Sequence, residues 1–225
     1  MDTGAAINRY SGVWQHRRHA PRSAPSGKDG QMTDLDGTHR EIGSRRIDAG
    51  EARTILMRRR YAAPVAEVWR WCTEADLLGR WFMRPEGDLR LGGRFTFEGN
   101  TGGEVRHCEP PKLLAVTWVY GDRPVDEVRL RLAEQSPDAT LLELEHASVT
   151  TEIEVDGQMV DVLLNDPGSG LWGLGAGWEM GLVALDALVR RDAPDPAAVR
   201  PTSRAQARSQ AEQSSRAWAQ LLAAR

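Results

Sequence analysis

Apolar and polar residues alternate with a period of two along the middle of the chain, and stretches of helical period stand on either side. Thr54–Tyr61 (TILMRRRY) alternates in its second half and predicts a strand. Pro64 follows, suited to the first turn of a helix because its missing N–H costs nothing there. Val65, Val68, Trp69 and Cys72 then fall at i, i+3, i+4 and i+7, the stripe of an amphipathic helix. EADLLGRWF predicts a second short helix with Leu77, Leu78 and Trp81 inward, ended by Pro85 and Gly87.

Strands follow. In RFTFE, Phe95 and Phe97 share one face while Arg94, Thr96 and Glu98 share the other, as in a half-buried antiparallel strand. Gly99–Gly103 reads as a turn, and EVRHCE puts Val105 and His107 on one face. After Pro110-Pro111, Leu113–Tyr120 is almost continuously apolar, as a central strand would be. Val128, Leu130 and Leu132 alternate with Glu127, Arg129 and Arg131, and TLLELEH puts Leu142, Leu144 and His146 on one face. A long connection spans Ser148–Gly170, a length typical of functional or mobile loops. Trp178, Leu182, Leu185 and Val189 then form one stripe on a long helix, with Arg190 and Arg191 at its C-terminal end. SSRAWAQLLAAR predicts a short amphipathic helix at the C-terminus. Strands grouped together with helices at the ends imply an α+β fold rather than a doubly wound parallel sheet.

Composition narrows the ordered part. Residues 1–50 hold few large apolar residues and many Arg, His, Ser, Gly and Asp, so we expect them to be mostly disordered, with Met32 as a candidate start. Residues 192–225 read as a linker followed by the short helix, which leaves 51–191 as one domain. A chain of roughly 150 residues buries about two-thirds of its unfolded surface, enough for one core. Net charge is −3 with the signs interspersed, which argues against nucleic acid as a partner, the basic RRHAPR (Arg17–Arg22) reading as a solvated tail. Cys72 and Cys108 are far apart and form no CxxC, so they read as reduced thiols of a cytoplasmic protein. No apolar run approaches the length of a membrane span, and the N-terminus lacks the apolar stretch of a secretion signal, so we expect neither.

Familiar chemistries find little support. Asp88, Arg90, Gly92, Gly93 and Arg94 (DLRLGGRF) invite a phosphate loop, but such a loop opens a helix, and here a strand of period two follows. Gly92-Gly93 reads instead as a two-residue hairpin turn with positive φ at both positions, and the flanking Asp and Arg residues pair or face solvent. GLWGLGAGW (Gly170–Trp178) is no dinucleotide fingerprint and reads as a lip before the long helix. There is no GxSxG elbow, no HExxH and no Cys pair, so we expect no catalytic set, metal or cofactor. His107 and His146 read first as core histidines with satisfied hydrogen bonds, and Glu179, off the apolar stripe, as a solvent-facing residue.

The order strand, two short helices, antiparallel strands, long helix resembles the helix-grip fold of the START-like (SRPBCC) superfamily. APVAEVWRWCTEADLLGRWF, GDLRLGGRFTFEG, GGEVRHCEPPKLLAVTW, TLLELEH and GWEMGLVALDAL follow in the order of the family named for activators of the heat-shock-protein-90 ATPase, whose bacterial members this chain looks like. They resemble its opening helix pair, its Asp-x-Arg-x-Gly-Gly-Arg hairpin, its Glu-Pro-Pro corner and its closing helix, across about residues 53–191. The resemblance implies a curved antiparallel sheet of about six or seven strands wrapped on the long helix, with a cavity between them. On that fold Trp118, Trp172, Trp178, Leu182, Phe95, Phe97, His107 and His146 are the candidates to line the cavity. The leading expectation is a binder of a small hydrophobic molecule. A co-chaperone-like module that docks a chaperone through its sheet surface is one alternative. A cyclase- or hydrolase-type enzyme using His107 or His146 with Glu179 is the other.

Overall fold

The computed structural model describes residues 37–98, 101–155, 158–161, 173–190 and 204–223. Ten strands run β1 (Thr38–Ile47), β2 (Gly50–Tyr61), β3 (Glu86–Gly87), β4 (Arg94–Phe97), β5 (Thr101–Glu109), β6 (Leu113–Tyr120), β7 (Asp126–Ser136), β8 (Ala139–Ser148), β9 (Glu152–Val155) and β10 (Gln158–Asp161). Four helices are α1 (Val65–Thr73), α2 (Ala75–Trp81), α3 (Leu174–Val189) and α4 (Arg204–Ala223). Strands β1 to β8 form one eight-stranded sheet in the order β1-β2-β8-β7-β6-β5-β4-β3, and β9 and β10 form a separate hairpin. Every pairing is antiparallel. This is the α+β helix-grip architecture, with eight strands in place of the expected six or seven. The short β3 and the N-terminal β1 make up the difference, and the helix pair therefore follows the second strand.

The alternation seen in the sequence sorts the two faces of the sheet. Ile55, Met57, Val128, Leu130, Leu142 and Leu144 point inward and are buried, while Arg58, Glu143, Glu145, Arg129 and Arg131 point outward. Outside, the charges neutralise one another across strands. Arg58 bonds Glu143 at 2.7 Å, Glu143 also takes Arg131 at 2.8 Å, and Arg45 sits between Glu145 at 2.7 Å and Glu127 at 3.0 Å. Inside, α3 lies across the sheet and is buried around nearly its whole circumference, as a predominantly apolar helix is. Its outer side is closed by α4, whose Trp218 ring packs on Gly175. A Cβ on Gly175 would come within 2.9 Å of the indole, so only glycine lets the two helices approach this closely.

Two boundaries move. Residues 38–50, expected to be part of a disordered extension, form β1 and the start of β2, and residues 1–36 lie outside the described residues. The C-terminal helix, expected to be short and to stand apart behind a linker, runs through Arg204–Ala223 and packs on α3 and β1. Two local readings also change. The DLRLGGRF turn is a hairpin, but Glu86 pairs Thr96, Gly87 pairs Phe95, and the loop spans Asp88–Gly93. Of the pair Gly92-Gly93 only Gly92 takes positive φ, at 78°, and Asp88 closes the loop by accepting the Arg90 N–H at 2.9 Å. In β5 a bulge places Arg106 as an extra residue: Val105 pairs Val116 while His107 pairs Ala115. The parity flips there, so Val105 is buried while Arg106 and His107 both face solvent. His107 therefore does not share the face of Val105.

Candidate functional site

Between the inner sheet face, α1–α2 and the start of α3 lies a cavity of about 70 Å3. Cys72 and Thr73 of α1, Leu78 and Trp81 of α2, and Phe82 just beyond it line one side. Phe95, Phe97, Val105, Leu114, Val116, Trp118, Val128 and Leu130 supply the sheet side, and Trp178 closes it from α3. The period of two brings the sheet residues together: Phe95 and Phe97 on β4, Val116 and Trp118 on β6, Val128 and Leu130 on β7 are alternate residues facing one way.

The rings pack at defined angles. Phe82 stacks on Trp178 with centroids 4.8 Å apart and planes 11° from parallel. Phe97 stands edge-on to Phe82 at 5.6 Å and Phe95 edge-on to Phe97 at 5.5 Å. Trp118 meets Trp178 at 5.3 Å and 60°. Such geometries add about 0.5–1.5 kcal/mol per pair beyond area burial.

Polar atoms in this wall are engaged elsewhere. Trp81 Nε1 donates to the Trp71 carbonyl at 2.9 Å, and the Thr73 hydroxyl donates to the Trp69 carbonyl at 2.8 Å. Trp178 Nε1 donates to His146 Nδ1 at 3.0 Å. An indole N–H can only donate, so Nδ1 accepts and the imidazole proton sits on Nε2, 3.3 Å from Asp126 Oδ2. His146 is fully buried behind Trp178 with both nitrogens occupied. It orients the indole and has no nitrogen left for a ligand carbonyl. The Cys72 thiol is pushed up to about 12 by burial, which keeps it protonated and inert.

The remaining candidates separate. Phe95, Phe97, Trp118 and Trp178 meet on the wall. Leu182 is buried beside it, and its carbonyl accepts the Tyr61 hydroxyl at 3.0 Å. Burial also holds the Tyr61 phenol well above its ordinary range. His107 is exposed on the far side of the bulge, and Trp172 lies outside the described residues.

Glu179 corrects the expectation of a solvent-facing residue. It is fully buried on the side of α3 away from the cavity, where Arg40 of β1 grips both its oxygens, with Nε 3.0 Å from Oε2. Ser214 of α4 donates to the same Oε2 at 2.5 Å. Two turns on, Asp186 takes the buried Arg59 at 2.7 Å and Arg190 at 3.0 Å. Glu179 thus ties the first strand and the last helix to α3 and has no line to the cavity. Among the described residues, no group of three or more His, Cys, Asp or Glu side chains is placed to hold a metal ion, and no helix is long and apolar enough to cross a membrane.

Comparison with known proteins agrees with this geometry. The crystal structure of CalU16 from Micromonospora echinospora is 41% identical, covers 82% of this chain and 97% of its own, and superposes with a TM-score of 0.62. The solution structure of the same protein gives 40% identity, 83% and 96% coverage and a TM-score of 0.65. A conserved protein of unknown function from Enterococcus faecalis, EF2215, shares 19% identity over 80% of this chain and 92% of its own with a TM-score of 0.52, a likeness of fold alone. No protein of curated function matches the chain. Residues 62–189, from the approach to α1 to the end of α3, match the family described as activator of Hsp90 ATPase homolog 1-like protein. With the helix-grip sheet, the cavity and more than half its length matched, the chain belongs to that family, within the START-like (SRPBCC) superfamily.

Proposed function

We propose that the protein binds a small hydrophobic molecule in the cavity between the sheet and α3. The observation that carries this reading is the wall itself: six aromatic rings and several aliphatic side chains converge on one space. The polar atoms of Thr73, Trp81 and Trp178 are already bonded to the protein. Small-molecule sites are mostly apolar concavities of this kind, at about 300–1,000 Å3. The 70 Å3 present here therefore has to widen around any occupant larger than a few atoms.

Binding is favoured over catalysis because, among the described residues, no acid–base pair faces this space. Glu179 is held by Arg40 and Ser214, His146 by Trp178 and Asp126, and His107 stands in solvent. Docking to a chaperone through the outer sheet ranks below it because the ion pairs there alternate in sign and satisfy one another. A one-sign patch would be the mark of electrostatic docking.

A thermal-shift panel of lipids and neutral aromatics tests the reading. A ligand at 100 times its Kd adds about 2.7 kcal/mol, which raises Tm by roughly 5–11 °C for a chain of this size. A panel in which nothing raises Tm would refute it.

A further inference from the structure

Among the six rings of the cavity wall, one is held differently. Phe95, Phe97 and Trp118 stand on strands, Trp81 within α2, and Trp178 on α3, and all five are buried. Phe82 stands just past the end of α2, where its N–H caps the helix on the Leu78 carbonyl at 3.0 Å, and it is only half-buried. Leu78, Leu89 and Leu114, also half-buried, lie beside it on the wall and form a rim open to solvent. Its ring lies face to face on Trp178 and edge-on to Phe97. It makes with these two side chains the contacts that a flat aromatic guest would make.

We propose that Phe82 is a plug, and that the ligand is a planar, uncharged aromatic molecule that displaces it and stacks on Trp178 in its place. The inference rests on the cavity-binding reading. It follows from three features of the wall. First, 70 Å3 is about half the roughly 150 Å3 of an apolar cavity that holds benzene, and vacating the Phe82 ring moves the space toward that size. Second, Trp178 cannot turn to meet a guest in another way, because its indole N–H is fixed on His146 and His146 on Asp126. The indole face is what remains on offer. Third, among the described residues no charged side chain lines the cavity, so an ionic guest would be buried unpaired against them, which is costly. Exchange of one stack for another leaves the aromatic contacts balanced, and the rim gives the Phe82 ring somewhere to go.

The test measures binding of 2-naphthol and of its saturated counterpart decahydro-2-naphthol by calorimetry, in the unaltered protein, Phe82→Ala and Phe82→Leu. The Trp178 indole N–H resonance serves as the reporter of place. Removing the plug removes the unfavourable opening step, so Phe82→Ala should bind 2-naphthol about tenfold or more tightly than the unaltered protein. Phe82→Leu keeps apolar bulk at the cap in case the alanine variant folds poorly, and should bind about threefold or more tightly. The aromatic alcohol should be preferred over the saturated one by about two- to twelvefold, and should shift the Trp178 resonance. Binding of the unaltered protein equal to or tighter than that of both variants overturns the plug but leaves cavity binding standing. So does equal affinity for the two alcohols. If no form of the protein binds either alcohol, the plug and the cavity reading fall together.

Discussion

Glu179→Gln removes one charge from a largely buried ion pair that joins distant parts of the chain. Glu179 is 0% exposed and Arg40 17%, and the carboxylate accepts two bonds from the guanidinium and one from Ser214. Glutamine fills the same volume, but its amide nitrogen would point one donor at another. Breaking one half of a buried pair costs about 3–5 kcal/mol, because the partner is left charged and unpaired. Arg40 retains some access to water, which places the expected loss at the lower end, about 3 kcal/mol. For a protein of this size that lowers Tm by about 6–12 °C. Urea unfolding at pH 7, followed by far-ultraviolet circular dichroism, should show a lower midpoint at unchanged slope. Adding Arg40→Met removes the stranded cation, so the double variant should recover about half of the loss. A loss below about 1 kcal/mol would put this pair among ordinary surface bridges and refute the reasoning. So would a double variant as unstable as the sum of the two single ones.

Asp88 accepts the Arg90 backbone N–H and its guanidinium, which holds its carboxyl down to about 2 from an ordinary 3.8. A depressed carboxyl stabilises the loop above its unfolded value and loses that contribution as pH falls through the folded one. Carboxyl-carbon NMR should therefore show Asp88 titrating near 2, and Arg90→Ala should return it toward 3.8. The Cys72 thiol, buried and raised to about 12, should resist a thiol reagent at pH 8 until the protein unfolds, whereas the half-exposed Cys108 should react in the folded state. Equal native labelling of both would show the α1 wall to be open. Gly175→Leu sets a side chain against the Trp218 indole, whose nearest atoms lie 2.9–3.0 Å from the added Cβ. It should cost about 1–3 kcal/mol in the same urea assay, and a neutral result would mean that α4 is not seated there.

The central sheet and α3 were legible because their sequence carries a clear period: RFTFE, EVRLRLA and TLLELEH each put most of their apolar residues on one face, and so did the structure. The elements that escaped are those whose inward positions are not apolar. In β1 only Ile42 and Ile47 are buried hydrophobics, while its buried Thr38 and half-buried Arg40 reach Arg59 and Glu179. A strand that turns polar groups inward, one of them to a partner 139 residues away, reads in sequence as a charged tail. The inner side of α4 is built from Ala211, Ser214, Ser215 and Trp218, small residues that suit close helix packing and give little apolar signal. His107 was misplaced by one residue of bulge, since a single insertion reverses every later face. The cavity rings on β4, β6 and α3 could be named from the strand and helix pattern. Phe82 could not, because it lies past the end of its helix and belongs to no stripe.

The double grip on Glu179 also sets an order for the making of the protein. Arg40 and Glu179 are 139 residues apart, so at about 5–20 residues per second the ribosome leaves roughly 7–28 s between the synthesis of the cation and of its anion. Through that interval the inner face of the growing sheet has α1 and α2 but lacks α3, and α4 comes later still. The aromatic wall is therefore exposed to the cell longest while it is least able to select what touches it. A hydrophobic guest or a chaperone present at that stage would meet the open sheet before the cavity exists.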